Sequence, residues 1–143
     1  MKCDKFNSYL SDLVVEYLKL HDIHWNVVGK QFVEVHKYTE GLYESLSEKF
    51  DEVAERMIMS GHKPVSTSAQ YLELADIKEL DKAEYRDSEA LEIVLADLKA
   101  LRAKARELRL DFDEAHAVSE ANLMDSHIEY YDKEIWFLSS MLK

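Results

Sequence analysis

Apolar residues recur at alternating spacings of three and four positions over four long segments of the 143-residue chain. This repeat is typical of an α-helix that buries one stripe of its surface, and it differs from the two-residue repeat of a β-strand. The first two stripes are Phe6, Leu10, Leu13, Tyr17, Leu20, His24, Val27, and then Val35, Leu42, Leu46, Phe50, Val53, Met57. The other two are Leu91, Val94, Leu98, Leu101, Ala105, Leu108, Phe112, and then Ala117, Ala121, Met124, Ile128, Tyr131, Ile135, Leu138, Leu142. The sequence therefore predicts an all-α bundle of four helices.

Few residues interrupt these segments, because the chain holds only three glycines and one proline, Pro64. Charged residues make up 33% of the chain, which suits helices with one solvated face. Gly61 follows the second stripe and is predicted to end that helix in a left-handed conformation. The length predicts one domain spanning residues 1–143.

The connection between the second and third helices, about residues 61–86, is too long to join adjacent antiparallel helices. It is therefore predicted to cross the bundle. Within it, "STSAQYLELADIKEL" begins with Ser and Thr, which cap helices, and continues with apolar residues. We expect a short extra helix there, and one long crossover is the topology of ferritin-like bundles.

Composition narrows the possible partners. Lys and Arg number 18 against 29 Asp and Glu, so the net charge is −11, which repels DNA phosphates and anionic lipids and attracts cations. The chain has no apolar run of the roughly 18 residues that a membrane span requires, and its one cysteine, Cys3, cannot form an internal disulfide. We expect a soluble, cytoplasmic protein with no membrane partner and no strong direct binding to DNA.

The second helix carries a row of imidazole and carboxylate side chains, and both types suit transition metals such as Fe(II). The row is His36, Glu40, Glu44, Glu48, Asp51, Glu52, Glu55. At 100° per residue, Glu40, Asp51 and Glu55 lie about 40°, 60° and 100° around the helix axis from His36. Asp51, however, lies some 22 Å along the helix from His36, so one metal ion cannot contact both within one helix.

Two contacts between helices would bring these candidate ligands together. A short turn around residues 29–31 places His24 and His36 at similar distances from the bend, so antiparallel packing would make them neighbours. If two subunits met about a two-fold axis, Asp51 and Glu55 of one would approach the histidines of the other. The hypothesis is a metal site shared between subunits.

The motif "HDIHWNVVG", a histidine twelve positions after His24, and "FDEVAER" fifteen positions further resemble the Dps family of small ferritins. The resemblance covers essentially the whole chain, including "YLELADI" and "DKEIWFLSSML". It implies a ferritin-like dodecamer that binds Fe(II) at two-fold interfaces, oxidises it with hydrogen peroxide or oxygen, and stores Fe(III) oxide in a hollow shell. It also implies a protective role in oxidative stress.

Carried over residue by residue, the resemblance assigns His24, His36 and Glu40 as metal ligands of one subunit, with Glu40 where many members have Asp. It assigns Asp51 and Glu55 as ligands from the partner. These five are the predicted catalytic ferroxidase and metal residues. His21 and Trp25 flank these residues. The resemblance implies that His21 forms a hydrogen bond with a ligand or a bridging water. Trp25 either lines the site and intercepts oxidising equivalents or serves only in packing.

Other acidic residues receive weaker assignments. Glu44 and Glu48 either belong to a solvated face or nucleate ferric oxide, while Asp113, Glu114 and Glu120 are candidates for an iron-entry pore. Val118 and Asn122 stand where family members often have acids, so this pore is expected to be less acidic or differently built. The chain also lacks the lysine-rich tail by which some members coat DNA.

Two other functions are compatible with a helical bundle. A di-iron oxygenase or large ferritin needs Glu-x-x-His on two helices, and no Glu-x-x-His occurs in the sequence. A shell that binds the nucleoid or another partner without catalysis remains the alternative. The other histidines, His62, His116 and His127, are expected at the surface or an interface.

Overall fold

Five α-helices make up most of the fold. The computed structural model describes residues 2–143, and its helices are α1 (Lys2–Asn26), α2 (Phe32–Met59), α3 (Ser68–Leu74), α4 (Asp87–Glu114) and α5 (Val118–Met141). α1 packs mainly against α2, α4 packs mainly against α5, and α1 also contacts α4. The four long helices correspond to the four predicted stripes, and α3 is the predicted helix in the crossover. The predicted fold class is confirmed.

The helix ends follow the predicted turn chemistry. Gly61 has a φ of +84°, and its N–H donates to the carbonyl of Ile58 while the N–H of His62 donates to that of Met57. These two bonds satisfy carbonyls that the last turn of α2 would leave free. Thr67 caps α3 through its hydroxyl, which accepts from the N–H of Gln70, and the Gln70 side chain accepts in return from the N–H of Thr67.

Two very short strands were not predicted. β1 (Val27–Val28) pairs in parallel with β2 (Tyr85–Arg86), so the turn after α1 is tied to the start of α4. Tyr85 is fully buried, and its hydroxyl donates to the carboxylate of Asp22 on α1 at 3.1 Å. Two residues are too few for a periodic signal, and the partners lie far apart in sequence.

The surface or interface position expected for His127 is wrong. Its side chain lies in the core at 1% exposure, where Nδ1 is 2.8 Å from the hydroxyl of Tyr9 and Nε2 is 3.3 Å from the carboxylate of Glu52. The Tyr9 hydroxyl also lies 2.6 Å from that of Tyr131. A buried polar group is tolerated when it is hydrogen-bonded, and the two partners of His127 come from α1 and α2. Burial lowers the pKa of His127 to about 3, so the ring is neutral.

A second buried polar group lies between α1 and α4. Glu16 is fully buried, and neither of its carboxylate oxygens receives a hydrogen bond from a donor group in residues 2–143. Burial, followed by the negative charge of Asp97, holds the pKa of Glu16 well above its usual range. Lys19 forms an ion pair with Asp97 at 2.8 Å and only partly offsets this effect. Burial therefore favours the protonated form of Glu16 in the fold.

Replacing Glu16 with glutamine is expected to flatten the pH dependence of stability. Because the pKa of Glu16 is raised on folding, the native state holds a proton that the unfolded chain releases above its ordinary pKa of 4.5. The free energy of unfolding therefore falls as pH rises from 4.5 to the raised pKa of the folded state, by at most about 1.4 kcal/mol per pH unit. The advantage of Glu16→Gln over the unmodified chain should grow with pH in denaturant titrations. An advantage that stays constant with pH would show that Glu16 titrates normally.

Candidate metal site

The turn between α1 and α2 is held by α4. Gly29 has a φ of +131°, and a Cβ at this position would lie 2.5 Å from Oδ2 of Asp87. The same oxygen accepts a hydrogen bond from the N–H of Gln31 at 3.0 Å. This hydrogen bond makes the largest contribution to lowering the pKa of Asp87, and a hydrogen bond from the N–H of Ser88 makes the next largest. A glycine and an ionised carboxylate thus fix the turn that carries both candidate histidines.

Replacing Gly29 with alanine is expected to destabilise the chain by about 1–3 kcal/mol, since the backbone is strained for an L-residue and the new Cβ meets Asp87. Gly61→Ala is the matched control, because Gly61 also has positive φ but open space around its Cβ direction. Urea unfolding should show the larger loss for Gly29→Ala. Equal losses would mean that the contact with Asp87 contributes nothing.

His24 and His36 hold each other through their backbones. Nδ1 of His24 lies 2.6 Å from the carbonyl oxygen of His36, and Nδ1 of His36 lies 2.8 Å from the carbonyl oxygen of His24. A carbonyl oxygen can only accept, so both Nδ1 atoms carry the proton and donate. The rings stack with centroids 3.6 Å apart and an interplanar angle of 16°. In its neutral form each ring then keeps a lone pair on Nε2, as a metal ligand requires.

The charge state of His24 suits metal binding. Its side chain is 5% exposed, and burial lowers its pKa, so the ring is neutral near neutral pH. Glu40 lies one turn after His36, and its carboxylate oxygen is 3.8 Å from Nε2 of His24. Half of the Glu40 side chain is exposed. His24, His36 and Glu40, predicted as the ligands from one subunit, therefore lie together.

The other two predicted ligands lie elsewhere on the protomer. Asp51 and Glu55 are exposed on the second half of α2, an unbroken helix from Phe32 to Met59. Neither carboxylate has a hydrogen-bond or ion-pair partner within residues 2–143. Over the same residues, no group of three His, Cys, Asp or Glu side chains is placed to hold a metal ion. One protomer therefore places Glu40 near the two histidines but does not complete a metal site, and Asp51 and Glu55 lie apart from them.

The flanking residues form an aromatic cluster. His21 stacks on Tyr43 with ring centroids 3.8 Å apart, and its Nδ1 lies 2.8 Å from the carbonyl oxygen of Tyr17. Trp25 contacts His21 edge-on at 5.4 Å and is 68% exposed. Tyr43 also meets the ring of His24 at right angles. Tyr43 was missed by the sequence analysis, although it lies one turn from Glu40 along the same helix.

The weaker acidic candidates are distributed over two regions. Glu44 and Glu48 are exposed on α2. Asp113 and Glu114 end α4, where Asp113 pairs with Arg109 at 3.5 Å, and Glu120 accepts a hydrogen bond from Ser60 in the first turn of α5. Two of the three pore candidates are thus engaged inside their own chain.

The fold and this histidine pair place the chain in the class of ferritin-like proteins, and the family model for the ferritin-like domain matches residues 3–143. The DNA protection during starvation protein of Helicobacter pylori is 32% identical over 132 residues, covering 92% of each chain. The crystal structure of a Dps protein from Bacillus brevis superposes with a TM-score of 0.95 at 32% identity, covering 99% of this chain and 95% of that one.

A third relative is the Dps protein of Vibrio cholerae O1, described as a member of a broad superfamily of ferritin-like diiron-carboxylate proteins. It superposes with a TM-score of 0.94 at 27% identity, covering 99% of this chain and 89% of that one. The chain belongs to the Dps family. None of the helices in residues 2–143 combines the length and the low charge content of a membrane span.

Proposed function

We propose that this protein is an iron-storage ferroxidase that binds Fe(II) between subunits, oxidises it and retains the ferric product inside a shell. The observation that carries the proposal is the pair of reciprocal hydrogen bonds between His24 and His36. These bonds occupy the Nδ1 atoms and leave the Nε2 atoms to a ligand, and the Nε2 of His24 lies 3.8 Å from the carboxylate of Glu40. Imidazole nitrogen with carboxylate oxygen is a donor set that suits Fe(II), and carboxylates also stabilise Fe(III).

A second subunit would complete the site. Asp51 and Glu55 are exposed and have no hydrogen-bond or ion-pair partner within residues 2–143. Their carboxylates are therefore available as metal ligands to a site on a neighbouring subunit. Trp25, Phe32 and Val33 expose apolar surface around the α1–α2 turn, which is typical of a protein interface. A two-fold axis near this surface would bring Asp51 and Glu55 of each subunit to the histidines of the other. The family resemblance points to a dodecameric shell.

The chemistry follows from the donors. A neutral imidazole binds Fe(II) without losing a proton, and the carboxylates offset the charge that increases on oxidation. Two bound Fe(II) ions that give one electron each to hydrogen peroxide reduce it to the level of water without releasing hydroxyl radical. Oxygen is the alternative acceptor. The net charge of −11 favours cation uptake and disfavours a shell that coats DNA.

Anaerobic titration of the metal-free protein with Fe(II), followed by peroxide or oxygen, tests this function. We expect saturable binding, then rapid growth of ferric absorbance with consumption of peroxide, in a species that elutes as a large shell. A large shell that leaves iron unoxidised and retards plasmid DNA with steep salt dependence would instead indicate the non-catalytic nucleoid-binding alternative.

A further inference from the structure

A buried threonine lies against the histidine pair. Thr39 is fully buried on α2, and its hydroxyl oxygen is 3.2 Å from Nδ1 of His24. The same oxygen is 2.8 Å from the carbonyl oxygen of Val35 and 3.1 Å from that of His36. Thr39 belongs to the inward stripe between Val35 and Leu42, where an apolar residue would fill the space without a polar group.

The direction of these hydrogen bonds is set by chemistry. The hydroxyl of Thr39 has one proton, and the shortest distance commits it to the carbonyl of Val35. Its lone pairs then face the N–H of His24. That N–H therefore has two acceptors, the carbonyl of His36 and the hydroxyl of Thr39. Two acceptors on one edge of the ring restrict its rotation and keep the proton on Nδ1.

We propose that Thr39 is a positioning residue, which orients the His24 ring so that Nε2 faces the metal. This inference rests on the proposed function, because it assumes that His24 is a ligand. Groups that hydrogen-bond a ligand from behind fix its tautomer and orientation, and their loss typically weakens metal affinity by 10–100-fold. Thr39 occupies this place for His24, whereas the Nδ1 of His36 has a single acceptor within residues 2–143, the carbonyl of His24.

Substitutions of Thr39 separate positioning from packing. Thr39→Val keeps the shape of the side chain and removes the hydroxyl, while Thr39→Ser keeps the hydroxyl and removes a methyl group. Co(II) is the probe, because it prefers similar ligands, reports its coordination in visible absorption and binds without a peroxide reaction. In the assembled protein, we expect Thr39→Val to weaken Co(II) binding by about tenfold and to shift its visible bands, and Thr39→Ser to restore both.

Thr67→Val is the matched control. It also removes a threonine hydroxyl, the one that caps α3, but lies outside the site. It should leave the Co(II) affinity and spectrum unchanged. Equal Co(II) affinity and spectra for Thr39→Val and the unmodified protein would overturn the positioning role.

Failure of the proposed function gives a different result. If the unmodified protein shows no saturable Co(II) binding that His36→Ala removes, both the metal site and the role of Thr39 are overturned. If that binding is present and Thr39→Val leaves it unchanged, only the inference about Thr39 is wrong.

Discussion

Replacing His36 with alanine is expected to abolish saturable Fe(II) binding and rapid iron oxidation. The substitution removes one proposed ligand and, in the same step, the ring that stacks on His24. We expect Fe(II) affinity to fall at least about 100-fold, since the loss of a ligand should cost no less than the loss of a group that orients one. Anaerobic Fe(II) titration and the rate of ferric absorbance growth measure the effect.

His62→Ala is the matched control for His36→Ala. His62 is exposed just beyond the end of α2 and takes no part in the proposed site. It should leave Fe(II) binding and oxidation intact, and sizing chromatography should show the same large species for both variants. An assembled His36→Ala protein that oxidises iron at the unmodified rate would contradict the assignment of His36.

Replacing Asp51 with asparagine is expected to impair the same reaction to a similar extent, although Asp51 lies about 22 Å along α2 from His36. The expectation follows because a partner subunit would bring Asp51 to the histidines. Asp51 is exposed and has no hydrogen-bond or ion-pair partner in residues 2–143, so the stability of the chain should change by less than about 0.5 kcal/mol. Fe(II) titration and urea unfolding together measure the two effects.

Asp81→Asn provides the corresponding control, because Asp81 is an exposed aspartate in the crossover, away from α2. Both variants lose one negative charge, so a general effect of charge on iron uptake should appear equally in both. Loss of binding in Asp51→Asn alone identifies a specific ligand. Equal behaviour of the two variants would remove Asp51 from the site.

The long helices were predictable because each buries a stripe that repeats locally in the sequence. The same locality made α3 predictable, since the cap at Thr67 and the residue that completes it, Gln70, are three positions apart. The parallel strands were missed because two residues per strand carry no period, and their pairing joins Val27 to Tyr85. Contacts between distant segments leave no local pattern.

Buried polar residues were harder to predict from the sequence than the apolar residues of the interior. His127 was expected at the surface or an interface, but it is buried, and the partners that allow its burial are distant in sequence. His127 is 118 residues from Tyr9, its hydrogen-bond partner. The helical spacing did indicate burial, because His127 lies three positions after Met124 and four before Tyr131, which are both on the buried stripe of α5.

The candidate site was predictable to the extent that residue type and helical position define it. The turn places His24 beside His36, as expected from their similar distances to the bend. The reciprocal backbone hydrogen bonds and the hydroxyl of Thr39 depend on atomic positions that spacing does not specify. The sharing of the site with Asp51 and Glu55 depends on a second chain and stays a prediction.

Mixing two inactive subunits tests the shared site most directly. One variant carries His24→Ala and His36→Ala, the other carries Asp51→Ala and Glu55→Ala, and the two are coexpressed and purified as mixed assemblies. With random pairing at two-fold interfaces, half of the pairs are mixed and each holds one intact site, so about one quarter of the iron-binding capacity should return. Mixed assemblies with no more Fe(II) binding or oxidation than either variant alone would contradict a site shared between subunits.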